Sequence, residues 1–442
     1  MTEMQNDLSA PQNILSRLAD ARVRTDKLLE IVNPEAVYDR PIPERHRIVF
    51  YLGHLEAFDW NLLGHYAFEL KPFKPAFDNL FAFGIDPVDG GLPTDQPSDW
   101  PAVPEVREYN HRIRQELDRH LEGQPLKDAE ESFSPTDIYL NVAIEHRMMH
   151  AETLAYMLHQ LPLDRKVQQP APTVLAAPPA ERKMTEIPAG TASLGLARKG
   201  NAFGWDNEFE AHSAEVPAFA IDEYKVTNGE FLKFVQQGSY TDPSLWSKED
   251  WEWIEQEGIR QPKFWIRRGD DWFYRSMFAE APLPLDWPVY VSHAEAAVYA
   301  RWAGKRLPTE EQFHRAAYGT PEGPERPFPW GSDAPRERYG TFDFAGWDPS
   351  SVNAHPAGRS AFGVADLIGN GWEWTSTLFQ PFPGFEPFPF YQGYSANFFD
   401  GKHYVMKGGS ARTAACMLRR SFRNWFQPHY QYAYSGFRLV SN

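Results

Sequence analysis

The sequence predicts an α+β protein of more than one domain, a helical bundle followed by a domain of short strands and tight turns. Three observations predict it. At 442 residues the chain exceeds what one ordinary hydrophobic core serves, so two or three domains are expected. Long amphipathic segments fill residues 1–165, whereas residues 183–442 alternate short apolar runs, turn residues and scattered tryptophans. Between them, residues 166–182 contain Gln168-Gln-Pro-Ala-Pro-Thr-Val-Leu-Ala-Ala-Pro-Pro-Ala180, a composition that gives an extended linker.

In the first domain, helical apolar spacing covers roughly 11–33, 46–70, 103–122 and 135–160, and these four segments suffice for a bundle. Ser134-Pro-Thr-Asp137 supplies a cap and first turn for the last of them. The segment from Phe83 to Asp99 is dense in Gly, Pro and Asp, which marks a long loop that either lines a site or serves as a solvated connector. After the linker the sequence shows no internal repeat.

Composition bounds the function. A 24% charged and 42% hydrophobic chain is globular, and an aromatic content of 15% points to aromatic-rich pockets and loop-heavy packing. A net charge of -16 argues against nucleic acid or an anionic membrane face as partner. The N-terminal residues show no basic region followed by an apolar run, and no stretch approaches the roughly 18 apolar residues of a membrane span, so a cytoplasmic protein is expected. A single cysteine, Cys416, excludes an internal disulfide and any multi-cysteine metal site. No sequence feature fixes an oligomeric state.

His146 and His150 stand four residues apart in a helical stretch, so both imidazoles project from one face about one turn apart. His54 lies in a second amphipathic stretch that a bundle can set opposite the pair. Three neutral imidazoles suit a divalent transition metal with positions left open for substrate or oxygen. Among 14 histidines such a spacing also arises by chance in surface or capped core side chains, and spacing alone leaves both readings open.

Beyond the linker, Met184-Thr-Glu-Ile-Pro-Ala-Gly190, Phe219-Ala-Ile-Asp-Glu-Tyr-Lys-Val-Thr-Asn228, Gly304-Lys-Arg-Leu-Pro-Thr-Glu310, Gly369-Asn-Gly-Trp-Glu-Trp-Thr375, Lys407-Gly-Gly-Ser410 and Ser435-Gly-Phe-Arg438 occur in an order that resembles the formylglycine-generating-enzyme-like domain, a C-type-lectin-like fold, over about 184–440. Read physically, these motifs are scaffold: glycines for turns and close approach, tryptophans and arginines to tie irregular loops together. The N-terminal half is similar to the DinB-like four-helix metal-binding domain that precedes this fold in the ergothioneine-type sulfoxide synthases, a group that includes selenoneine synthase. Gly53-His54-Leu55 and His146-Arg-Met-Met-His150 match its ligand motifs. The resemblance implies that His54, His146 and His150 bind Fe(II), and that dioxygen drives coupling of a sulfur or selenium donor to the imidazole C2 of hercynine, the Nα-trimethylated histidine.

Pro381-Phe-Pro-Gly-Phe385, Tyr391-Gln-Gly-Tyr394 and Phe422-Arg-Asn-Trp425 resemble the family's substrate motifs. Carried over by position, Tyr391 is the redox or acid tyrosine, and Tyr394, Asn424 and Trp425 contact hercynine. A trimethylammonium group prefers aromatic faces, which suits Trp425. Each tyrosine equally fits ordinary core packing with its hydroxyl satisfied.

The donor side departs from the family. A Tyr-Tyr pair and an arginine-rich loop that clamp γ-glutamylcysteine carboxylates are replaced by Phe81-Ala-Phe-Gly-Ile-Asp-Pro-Val-Asp-Gly90, acidic and free of arginine. Phe426 occupies the position of the aspartate that receives the donor's ammonium group, and Met149 that of a glutamine. Asp86, Asp89, Asp95 and Asp99 suit hydroxyls better than carboxylates, so the expected donor is a selenosugar, as in selenoneine synthase. Three alternatives are a formylglycine-generating enzyme, which a single cysteine disfavours, a zinc-dependent thiol transferase using the same bundle, and a lectin-like binding module without catalysis.

Overall fold

A computed structural model describes residues 13–82, 92–122, 134–170, 181–200 and 202–441. The chain divides into two compact units, Met1–Leu154 with Arg165–Val167, and Ala155–Asp164 with Gln168–Asn442. Among the described residues no helix is long and apolar enough to cross a membrane.

Unit 1 is helical. Its elements are α1 (Ile14–Leu29), α2 (Ile48–Asp59), the short α3 (Pro75–Leu80), α4 (Val103–Leu121) and α5 (Pro135–Gln160), whose residues from Ala155 belong to the second unit. All four expected helices are present, and α2 runs on as a π-helical segment over Trp60–Ala67. Capping sets the starts: Asn13 Oδ1 accepts from Leu15 N at 2.8 Å, while Ser134 N donates to Asp137 Oδ2 at 2.9 Å and Asp137 N to Ser134 Oγ at 3.3 Å. In α4 the buried residues Val106, Tyr109, Ile113, Leu117 and Leu121 recur at helical spacing and form a single inward stripe. The helix α2 is buried on nearly every side, which places it centrally in its unit.

Buried charge fixes the register of these helices. Arg147 of α5 grips Glu56 of α2 with Nη1 and Nη2, each 3.0 Å from a different carboxylate oxygen, and Nη2 also reaches Asp59 Oδ2 at 2.5 Å. Arg114 of α4 donates from Nε to Glu56 Oε1 at 2.9 Å and from Nη1 to Asp26 Oδ2 of α1 at 2.7 Å. Burial raises the Glu56 carboxyl, but Arg147 and Arg114 outweigh it and bring it down to about 2. One ionised side chain thus couples three helices, and through Arg114 a fourth.

Unit 2 is built from small sheets and loops. In chain order its elements are β1 (Met184–Ile187), β2 (Gly190–Leu194), β3 (His212–Val216), β4 (Phe219–Asp222), α6 (Asn228–Gln236), α7 (Lys248–Gln256), β5 (Trp265–Arg268), β6 (Asp271–Arg275), β7 (Glu280–Pro282), α8 (His293–Trp302), α9 (Glu310–Tyr318), β8 (Trp372–Leu378), β9 (Tyr404–Lys407), β10 (Asn424–Phe426), β11 (Ser435–Gly436) and β12 (Val440–Ser441). The largest sheet has the order β10-β9-β8-β11, which leaves β10 at an edge with Trp425 opposite Val405. Irregular backbone is held by buried ion pairs, as the motifs predicted: Arg438 Nε donates to Glu373 Oε2 at 2.6 Å, and Lys225 lies 3.3 Å from Glu373 Oε1. Gly369 sits at φ 86° with the Thr341 carbonyl 2.4 Å from where a Cβ would stand, so the turn into β8 requires glycine.

Glu56→Gln leaves the fully buried Arg147 short of countercharge and removes one partner of the part-exposed Arg114. It should lower the stability of the helical unit by ~3 kcal/mol in urea unfolding followed by helical circular dichroism. An unchanged midpoint would show that the network does not carry the bundle.

Candidate active site

The three histidines converge. His150 Nε2 lies 3.1 Å from His54 Nε2 and 3.0 Å from His146 Nε2, and one nitrogen from each residue falls within 4.8 Å of the others. Among the described residues this is the only group of three or more His, Cys, Asp or Glu side chains so placed. Helical geometry sets His146 and His150 on one face of α5, and the Arg147–Glu56 contact aligns that face with His54 of α2.

A contact outside both ligand motifs orients His54. Its Nδ1 lies 2.6 Å from the Phe81 carbonyl oxygen, which can only accept, so Nδ1 carries the proton and Nε2 presents a lone pair to the other two rings. Phe81 follows α3 directly, and its ring packs where a Cβ on Gly53 would lie 2.5 Å away. The glycine before His54 therefore makes room for the residue that aims it. Phe58 stacks on His146 at 3.4 Å between centroids, and Phe50 on His54 at 4.7 Å.

Burial keeps the rings neutral. It lowers His54 to about 4, with the Phe81 bond opposing, and takes His146 and His150 well below the ordinary histidine range, assisted by the neighbouring histidines. Nitrogen lone pairs are consequently available at neutral pH without proton release. An all-imidazole set with no thiolate fits Fe(II), Zn(II) and their neighbours in the first transition row.

Met149 is half-buried on α5 beside His150. Asp86 and Asp89 lie outside the described residues. Of the other two loop aspartates, neither faces a donor freely, contrary to the expectation for that loop. Asp95 is taken by Arg40, by Arg47 Nε at 3.0 Å and by Trp100 Nε1 at 2.7 Å, and Asp99 accepts from Gln96 N at 2.7 Å to cap a single turn. The loop lacks arginine, but Arg40 and Arg47, which precede α2, pair with its Asp95.

In unit 2, Tyr391, Tyr394 and Trp425 enter one aromatic cluster. Tyr394 lies 5.5 Å from Tyr391 and meets Trp425 edge-on at 5.5 Å, while Trp425 stacks on Phe379 at 4.1 Å. Asn424 accepts from the Trp425 amide at 2.9 Å. Strand alternation turns Phe426 away from Trp425, and it stacks instead on Tyr430 at 4.6 Å with Tyr156 at its edge.

Sequence reasoning missed the segment behind this cluster, Trp205-Asp-Asn-Glu208. Trp205 stacks on Tyr394 at 4.0 Å, Asp206 accepts from the Ser395 hydroxyl, and Glu208 accepts from Ser421 Oγ at 2.6 Å and Arg419 Nε at 2.8 Å. Burial lifts the Asp206 carboxyl to about 6, with Ser395 as its chief counterweight. Four adjacent residues, three of them polar, in a loop-rich region were the available signal, and nothing in linear sequence links them to residues near 390 or 420.

These two site regions sit on two known domain types. Residues 17–154 match the DinB superfamily, and residues 171–442 the sulfatase-modifying factor enzyme 1-like domain. Hercynine oxygenase of Mycobacterium tuberculosis is 33% identical over 447 residues, spanning 98% of this chain and 99% of that one. Ergothioneine biosynthesis protein 1 of Schizosaccharomyces pombe is 29% identical over 95% of this chain and 54% of its own length. A formylglycine-generating enzyme of M. tuberculosis is 28% identical over 46% of this chain only. The combination defines a helical metal-site bundle joined to a C-type-lectin-like domain. The chain belongs to the ergothioneine-type sulfoxide synthase family and is an oxidoreductase.

Replacing His54, His146 or His150 by Ala should remove most bound metal and all turnover while the near-ultraviolet circular dichroism of the tryptophan-rich unit 2 persists. Stoichiometric iron in the His146→Ala protein after anaerobic loading would contradict the ligand set.

Proposed function

We propose that the protein holds Fe(II) on His54, His146 and His150 and uses dioxygen to join the imidazole C2 of hercynine to a chalcogen donor, with a selenosugar as the preferred donor. The observation that carries this reading is the convergence of three buried, neutral imidazole nitrogens. Bound there, Fe(II) supplies the redox chemistry with dioxygen that a closed-shell zinc ion lacks, and membership of an oxidoreductase family favours this reading over a thiol transferase. The balance is complete: hercynine loses the C2 hydrogen and the donor its chalcogen hydrogen. Both leave as water with one oxygen atom, the other oxygen goes to the chalcogen, and dioxygen takes up four electrons.

The protein's own groups have separate tasks. Trp425 and Tyr394 offer aromatic surface to the trimethylammonium group, Asn424 orients the acceptor by hydrogen bonding, and Tyr391 exchanges a proton through its hydroxyl. The Phe81 carbonyl and the Arg147–Glu56 pair keep the imidazoles aimed and desolvated.

The donor assignment is supported by what the donor side lacks. With Phe426 stacked on Tyr430, position 426 offers no carboxylate to an ammonium group. Arg40 and Arg47 are already engaged by Asp95 and are not a carboxylate clamp. The carboxylates of Asp86 and Asp89 suit hydrogen bonds from sugar hydroxyls and would repel a dicarboxylate. A sulfur donor such as cysteine or γ-glutamylcysteine is the second reading, favoured by the relative named for ergothioneine biosynthesis.

Hercynine should bind the anaerobic iron protein about five- to thirtyfold more tightly than histidine, because the cation–π contribution to a desolvated quaternary ammonium is ~1–2 kcal/mol. Equal affinities in calorimetry would remove Trp425 and Tyr394 from the acceptor site. When cysteine, γ-glutamylcysteine and a selenosugar compete at equal concentration in one aerated reaction, mass spectrometry should find chiefly the selenosugar adduct. A dominant cysteine-derived sulfoxide would establish the sulfur reading instead.

A further inference from the structure

The segment Trp205–Glu208 packs polar residues where apolar ones would cost less. Asp206 and Glu208 are 0% exposed and Asn207 is 1% exposed, and a buried polar group is tolerated only where it finds partners. The partners come from two distant stretches of chain. Asp206 accepts from the Ser395 hydroxyl, whose oxygen in turn accepts from Asn207 Nδ2 at 3.1 Å. Trp205 stacks on Tyr394 and stands edge-on to Tyr391 at 6.5 Å. Glu208 binds Ser421 and Arg419, and Arg423 Nη1 reaches the Asn207 carbonyl at 3.4 Å, just ahead of Asn424 and Trp425.

The stretch between β8 and β9 that carries Tyr391 and Tyr394 has no helix or strand beyond a single turn at Ala396–Phe398. Its own backbone bonds near the tyrosines are local turns, Tyr391 N to Phe388 O at 3.0 Å and Tyr394 N to Tyr391 O at 3.2 Å. Side-chain anchors must therefore set where the two tyrosines stand. Burial holds Asp206 near 6 against hydrogen bonds from Ser395, from the Asn207 and Phe388 backbone and from the Asn207 side chain, and the Phe388 bond ties it to the tyrosine loop directly.

We infer that Trp205–Glu208 is the positioning element of the acceptor pocket: Asp206 through Ser395, and Trp205 through Tyr394, hold the Tyr391–Tyr394 loop, while Glu208 through Arg419 and Ser421 holds the strand bearing Asn424 and Trp425. These four are positioning residues and touch no substrate atom. The designation of the cluster as the acceptor pocket rests on the proposed function; the anchoring itself does not.

Full-length, metal-loaded Asp206→Ala, Asp206→Asn and Ser395→Ala proteins test it by amide hydrogen exchange and by hercynine kinetics. A hydrogen bond to a charged acceptor is worth about tenfold or more in a local opening equilibrium. Exchange across 388–398 should therefore rise about tenfold in Asp206→Ala and Ser395→Ala, with β1–β4 unchanged. The hercynine KM should rise by a similar factor at unchanged iron content. Asp206→Asn keeps an oxygen that accepts from Ser395 and should recover most of both. Exchange at 388–398 unaltered in Ser395→Ala, or raised equally throughout unit 2, overturns the inference, as does Asp206→Asn behaving like Asp206→Ala. Hydrogen exchange needs no substrate, so wild-type protein that ignores hercynine would defeat the acceptor reading while the anchoring is still decided.

Discussion

Unit 1 depends on the contact between Arg147 and Glu56. Both side chains are almost wholly withdrawn from water, and two charge-assisted bonds at 3.0 Å lock α5 against α2 in one register. Arg147 follows His146 directly and Glu56 is two residues beyond His54, so the register that satisfies the charges also sets the three imidazoles nitrogen to nitrogen. The burial that makes this pair necessary also strips protons from the histidines. A helix core and a candidate ligand set are thus produced by the same desolvation.

Much of this was legible beforehand. Apolar periodicity located the four long helices to within a few residues, the i,i+4 histidines reported their own shared face, and the Ser134–Asp137 cap emerged as read. Those are local properties of a chain. What escaped was long-range: the Phe81 carbonyl that aims His54, the glycine that admits the Phe81 ring, and the Trp205–Glu208 anchor under the tyrosine loop. Spacing along the chain carries no information about partners so far apart. The aspartates of the 83–99 segment show a different limit. Charge composition identified an acidic loop, but the availability of Asp95 depended on Arg40 and Arg47, which precede it by 55 and 48 residues.

The second unit reaches order by a different route. Its sheets are small, and buried pairs such as Arg438–Glu373 and Arg423–Glu310 hold loops that regular secondary structure does not. On that framework the aromatic residues sort by strand alternation, with Trp425 toward Tyr394 and Phe426 toward Tyr430. An aromatic cluster suits a quaternary ammonium, and an aromatic residue at position 426 suits a donor without an amino-acid head group. On the function proposed above, acceptor and donor chemistry would fall at adjacent positions of one strand.

The central claim is that His54, His146 and His150 form one metal centre. Crystals of protein loaded anaerobically with Fe(II), measured on either side of the iron absorption edge, test it without recourse to activity. The account predicts a single anomalous peak in this unit, bonded to Nε2 of all three histidines. A peak coordinated by other side chains, or three histidines bonded to one another with no metal between them, would contradict it.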